Sequence, residues 1–209
     1  MKINYLKNPK EIIHKSFEII KAETNIDELP LEIQIVAQRI IHTCGIPEIT
    51  DFLFFSKGAV ESGKKALETG MPLLVDVNMV AAGINTSDLS PNNKIICTIN
   101  DQRVIEIAKQ LKTTRSAAAL ELWKPVVGGA VIAIGNAPTA LFHLLEMLSS
   151  GADKPSLIIA TPPGFVGAEE SKDLLINNNL SIPYIVIKGR MGGSALAAAI
   201  VNALTGESK

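Results

Sequence analysis

In the run Arg39-Ile40-Ile41-His42-Thr43-Cys44-Gly45 a guanidinium and an imidazole stand three residues apart, just ahead of a glycine. If the run is helical, Arg39 and His42 share a face away from the apolar stripe. Gly45 followed by Pro47 is a strong stop signal, so His42 falls in the last turn, where the negative end of the helix dipole favours a positively charged side chain. That setting suits a general acid. A lone histidine is more often structural, and His14 and His143 sit on apolar helical runs without a companion motif.

A second set of residues could meet an anion. Gly135-Asn136-Ala137-Pro138-Thr139, Pro162-Pro163-Gly164-Phe165-Val166-Gly167 and Gly189-Arg190-Met191-Gly192-Gly193-Ser194 each follow an apolar run and precede a helical one. Small residues there let backbone N–H groups approach carboxylates or phosphates, although any α/β protein needs glycine at such corners. In Thr113-Thr114-Arg115-Ser116 a threonine can cap the helix that follows. Arg115 opposes that helix's dipole and contributes better by engaging an external anion. Gly58-Ala59-Val60-Glu61-Ser62-Gly63-Lys64-Lys65 fits G-x-x-x-x-G-K but has Lys65 where a phosphate loop needs Ser or Thr, and it runs on into Ala66-Leu67-Glu68; it reads as a helix. No G-x-G-x-x-G follows any strand candidate, which weakens a nicotinamide or flavin reading.

The elements that must position these residues follow from hydrophobic periodicity. Ile12, Ile13, Phe17, Ile19 and Ile20 predict a helix over Pro9 to Glu23; Pro30 opens a second that turns Ile33, Val36, Ala37, Ile40, Ile41 and Cys44 inward. Beyond Thr50 the rhythm changes. Strands are predicted at Phe52–Phe55, Leu73–Val77, Lys94–Ile99, Ala130–Ile134, Leu157–Ala160 and Tyr184–Ile187. Helices alternate with them at Ala59–Glu68, Asp101–Lys112, Ser116–Trp123, Pro138–Leu148, Glu169–Asn177 and Ser194–Leu204. The reading is an α/β fold: a mainly parallel sheet with helices on both faces, Rossmann-like and doubly wound, preceded by an N-terminal helical segment. One domain spans 1–209, with the helical segment at 1–50 and the α/β core at 51–209.

The chain has 209 residues, 47% hydrophobic and 20% charged, with a formal net charge of −1. That composition folds, and it supplies no global field for nucleic acid or an anionic membrane. Cys44 and Cys97 show no C-x-x-C spacing and have no His pair nearby, so neither a disulfide framework nor a zinc site is indicated. Met1-Lys2-Ile3-Asn4-Tyr5 lacks the pattern of a secretory signal, and the apolar stretch Gly129–Leu148 is broken by Asn136, Pro138 and His143; a cytoplasmic location is expected.

Taken together, the motifs resemble those of the precorrin-8X methylmutases, called cobalt-precorrin-8 methylmutases when the ring carries cobalt. The resemblance rests on Pro9 with Ser16-Phe17-Glu18-Ile19-Ile20, the Arg39–Gly45 run, Asp76-Val77-Asn78-Met79-Val80-Ala81-Ala82-Gly83-Ile84, Thr114-Arg115-Ser116-Ala117-Ala118 and Gly135–Leu141. It continues through Gly164-Phe165-Val166-Gly167-Ala168, Glu170-Ser171-Lys172 and Lys188–Ser194. Pro163 departs from the family pattern and would stiffen its loop. The resemblance implies a methyl shift from carbon 11 to carbon 12 of a tetrapyrrole in cobalamin biosynthesis, with no cofactor, giving hydrogenobyrinic acid or cobyrinic acid. It implies that His42 is the acid protonating a ring nitrogen. Ser16, Arg39, Thr114, Arg115, Gly135, Asn136, Arg190, Gly192 and Gly193 would bind the carboxylate-fringed ring, and the chain would form a homodimer. The rival readings are a non-catalytic tetrapyrrole carrier and a nucleotide-binding α/β protein using Gly58–Lys65.

Overall fold

In a computed structural model that describes residues 3–206, Met1 and Lys2 of the N-terminal reading lie outside the described residues. Helix α1 (Pro9–Glu23) starts on the Asn8 side chain, which accepts from the N–H groups of Lys10 and Glu11, with Pro9 at a position that needs no N–H donor. Helix α2 (Leu31–Cys44) ends where Gly45 turns left-handed at φ 69° and donates its N–H to Ile41. Both helices match the periodicity. Their burial differs: Ile33, Val36, Ala37, Ile40 and Ile41 are buried on α2, whereas on α1 Ile20 is buried and Ile12, Ile13 and Ile19 stay exposed.

The sheet contains β1 (Leu53–Phe55), β2 (Leu73–Val75), β3 (Ile95–Ile96), β4 (Val131–Ile134), β5 (Leu157–Ala160) and β6 (Tyr184–Ile187), in the order β1-β6-β5-β4-β2-β3. All neighbours are parallel except β1, which pairs antiparallel to β6. The parallel strands are doubly wound as expected, in the order of the flavodoxin type. Most strands are shorter than their apolar runs; β3 keeps two residues because the chain leaves the edge after Ile96.

Helices cover both faces. Leu73, Val75, Val131, Ala133, Leu157, Ile159, Ile185 and Ile187 enter a core shared with α2, α3 (Ala59–Glu68), α4 (Asn78–Gly83) and α9 (Ser194–Thr205). The alternate positions Leu74, Ile132, Ile134, Ile158, Ala160 and Val186 face α7 (Pro138–Ser149) and α8 (Ala168–Asn177). Helices α5 (Arg103–Leu111) and α6 (Arg115–Ala119) pack on each other beyond β3, and a 3-10 turn over Leu120–Trp123 extends α6.

Two local outcomes bear on function. The Gly58–Lys65 run is helix α3, and a Cβ at Gly63 would sit 2.6 Å from Leu157, so its glycine serves close packing and not a phosphate cradle. Helix α4 was absent from the periodicity reading, because six residues are too few to show a period. No helix among the described residues is long and apolar enough to cross a membrane.

Candidate active site

The chain order reverses between β2 and β4, the place where doubly wound sheets open a crevice at their carboxyl ends. Asp76 follows β2 there, 1% exposed. Its carboxylate accepts the N–H groups of Gly135 (2.9 Å), Asn136 (2.9 Å) and Ala137 (3.0 Å) at the end of β4. Burial holds this carboxyl above the ordinary aspartate range, against the downward pull of those N–H groups. The expectation that this junction offers its N–H groups to an external anion is therefore corrected: an internal carboxylate already fills it. Gly135 has no room for a side chain, since a Cβ would lie 2.6 Å from Val80 and 2.9 Å from Ser194. The Asn136 side chain is exposed above the strand end.

The β6–α9 junction is closed in the same way. The Gly193 N–H donates to the Thr161 carbonyl (2.7 Å), and the Thr161 hydroxyl donates to the Gly193 carbonyl (3.0 Å). Gly192 lies at φ 152°, and a Cβ there would stand 2.1 Å from the Thr161 oxygen. The Gly164 N–H donates to the Arg190 carbonyl (3.1 Å), which ties the loop after β5 to the loop after β6. Above this tie the side chains are open. Phe165 and Val166 are 83% and 89% exposed, and the Arg190 guanidinium carbon sits 5.3 Å from the Phe165 ring centroid.

Thr114 caps α6, accepting from the Ala117 N–H at 3.2 Å, and its hydroxyl meets that of Thr139 on α7 at 2.8 Å. Arg115 is exposed and donates to the Ile99 carbonyl (3.0 Å), with no carboxylate partner among the described residues. A Cβ at Gly167 would lie 3.5 Å from Pro138, so the loop after β5 adjoins the start of α7, with Thr114 and Thr139 on one side of this rim and Arg190 on the other.

The histidine stands on different elements. His42 is exposed in the last turn of α2, with its ring edge-on to Phe17 of α1 at 5.6 Å and 76°. Arg39, one turn earlier, is half-buried and has neither an ion pair nor a side-chain hydrogen bond among the described residues. It borders a groove of about 910 Å³ lined also by Phe17, Ile35, Ser87 and Asp88. The Ser16 hydroxyl donates to the Ile12 carbonyl of its own helix (2.8 Å), so its proton is not offered to the carboxylates of the ring it was expected to bind. A six-residue turn, Pro47–Phe52, joins the end of α2 to β1, and Leu53 of β1 pairs with Ile187 at the end of β6. That link ties α2 to the carboxyl ends of the sheet. No hydrogen bond or ion pair among the described residues joins Ser16, Arg39 or His42 to the rim of Thr114, Arg115, Asn136 and Arg190.

Sequence reading gave no individual role to Asp76, Lys172 or Met79, the last 73% exposed at the start of α4, and took Thr139, Phe165 and Val166 only as parts of glycine junctions. One signal was legible in the sequence: Gly164-Phe165-Val166-Gly167 sets two large apolar residues between glycines, an arrangement that displays them. Among the described residues no group of three or more His, Cys, Asp or Glu is placed to hold a metal ion.

A doubly wound sheet with exposed apolar residues and arginines without carboxylate partners at its carboxyl end, and a histidine at a helix end, has the layout of an α/β enzyme. The family profile described as precorrin-8X methylmutase matches residues 11–207. A precorrin-8X methylmutase of Pseudomonas aeruginosa is 48% identical over 98% of this chain and 99% of its own. A cobalt-precorrin-8 methylmutase of Methanocaldococcus jannaschii is 33% identical over 99% and 94%. The crystal structure of a precorrin-8X methylmutase from Thermus thermophilus superposes with a TM-score of 0.84 at 35% identity, covering 94% of each chain. The chain belongs to the precorrin-8X methylmutase family, and so to the isomerases that move a methyl group within one molecule.

Proposed function

We propose that this chain, acting as a single domain, moves the methyl group of precorrin-8X from carbon 11 to carbon 12 to give hydrogenobyrinic acid, or performs the same shift on cobalt-precorrin-8, with His42 as general acid. The observation that carries the reading is the exposed imidazole at the end of α2, seated on Phe17 and sharing its face with an unpaired Arg39. The shift is sigmatropic: the bond to one ring carbon breaks as the bond to its neighbour forms, so the protein supplies no nucleophile or hydride. A proton placed on a ring nitrogen draws electron density toward the migrating methyl. Orientation and exclusion of water are the remaining tasks.

The rim supports a macrocyclic ligand. Phe165, Val166 and Met79 offer apolar surface to a ring face, while Arg115, Arg190 and the Asn136 side chain stand where ring carboxylates would lie. Thr114 contributes through its pair with Thr139, and Gly192 and Gly193 shape the loop that presents Arg190. The His42 group and the rim share no hydrogen bond or ion pair among the described residues, and a second copy in a cytoplasmic homodimer would bring both onto one ligand.

The test is an absorbance titration with hydrogenobyrinic acid on the wild type and on His42→Ala. Binding by both, with a protonation-linked spectral change confined to the wild type, is the expected result. Equal spectra would remove His42 from the acid role, and binding without turnover of precorrin-8X would leave a carrier.

A further inference from the structure

Lys172 on α8 is 0% exposed, a burial that lysine rarely accepts without an ion-pair partner. Its Nζ donates to the Met191 carbonyl at 3.0 Å. An ammonium has three donors, and no second acceptor and no carboxylate within ion-pair distance is found among the described residues. Glu169 and Asp173, both on α8, favour the charge from farther away; Asp173 Oδ1 lies 3.3 Å from the Lys188 ammonium but is buried without a hydrogen-bond partner. Burial holds the lysine down at about 8, against the upward pull of Glu169 and Asp173. A methionine of similar length would fill this space without the charge.

What the charge faces is informative. Met191 lies between Arg190 and Gly192, in the loop that closes on Thr161 and carries the Arg190 guanidinium. The ammonium therefore backs that loop from the protein side, in a low-dielectric setting where an uncompensated charge acts over several ångströms.

We propose that Lys172 is a positioning residue for an anionic ligand: it fixes the Met191 carbonyl, and with it the loop presenting Arg190, and its incompletely compensated charge draws the ligand's carboxylates to that loop. The inference rests on the proposed function, and a ligand that brings carboxylates to the rim supplies the compensation the fold withholds. Binding must then favour the protonated lysine and take up protons near pH 8.

The experiment is calorimetric titration of the wild type and Lys172→Met with hydrogenobyrinic acid at pH 8 in buffers of different ionisation enthalpy. Expected are a dissociation constant raised about tenfold in the variant, and proton uptake on binding that is greater in the wild type. Lys172→Gln, which keeps a donor for Met191 without the charge, is expected to lose the extra proton uptake as Lys172→Met does and to lose less affinity. An unchanged dissociation constant in either variant, or uptake equal to the wild type's, overturns the proposal. So does failure of both variants to fold, since a lysine whose charge costs stability is not needed for folding. A wild type that does not bind the compound would instead overturn the corrin reading on which this one stands.

Discussion

The carboxyl end of the sheet and the α1–α2 pair treat their polar groups in opposite ways. At the sheet end, Asp76 takes three N–H groups, Thr161 and Gly193 exchange two hydrogen bonds, and Gly164 is tied to Arg190. On α1 and α2, His42 packs T-shaped against Phe17 and Arg39 has no charged partner among the described residues. The difference teaches that the glycine junctions are scaffold, engaged internally before any ligand arrives. Recognition falls to the side chains the fold leaves without partners. Substitutions in the first region should act on stability, and those in the second on chemistry.

The largest effect should come from Asp76→Ala, which strands three buried N–H groups. The expected loss is about 3–5 kcal/mol, roughly 10 °C in melting temperature. A melting curve that does not move would break the contrast, because the junction would then be free to hold an external anion. His42→Ala should leave the melting curve in place and slow the methyl shift by roughly a hundredfold, the usual size of a lost general acid. A variant that turns over at the wild-type rate would place the proton donor elsewhere. Arg115→Ala is expected to raise the dissociation constant of hydrogenobyrinic acid about tenfold with the catalytic rate little changed, since Arg115 is held to the Ile99 carbonyl and pairs with no carboxylate among the described residues. An unchanged constant in titration would mean that Arg115 serves only that carbonyl.

Much of the architecture was legible because long apolar periods survive tertiary context: α1, α3, β5 and β6 fall on the residues that the pattern predicted. The antiparallel direction of β1 was not, since a three-residue strand carries no sign of its partner's direction. In the site, His42 and Thr114 could be placed by helix-end rules, which depend on neighbours in sequence. Asp76 could not. Its role depends on a contact with Gly135 across 59 positions of chain, and a glycine corner that binds an internal carboxylate has the same local pattern as one awaiting a ligand. Lys172 was hidden for the same reason: on an amphipathic helix it reads as a surface residue until α8 is docked.

Lys172 also gives the smallest of these effects and the one that most sharpens the contrast, because it is a buried charge that is incompletely paired. Its folded value of about 8 lies below the 10.5 of an ordinary lysine. Between those values the unfolded chain binds a proton that the folded chain does not, so folding stability rises with pH across that window. Below pH 8 both states are protonated and the cost of the buried charge is present in full. Urea unfolding of the wild type and Lys172→Met should therefore give midpoints whose difference is constant up to about pH 8. Above it the wild type should gain on the variant, by about 1 kcal/mol between pH 8 and 9. A difference flat to pH 10 would show an ammonium fully compensated by its surroundings, and Lys172 would then belong with the self-satisfied scaffold.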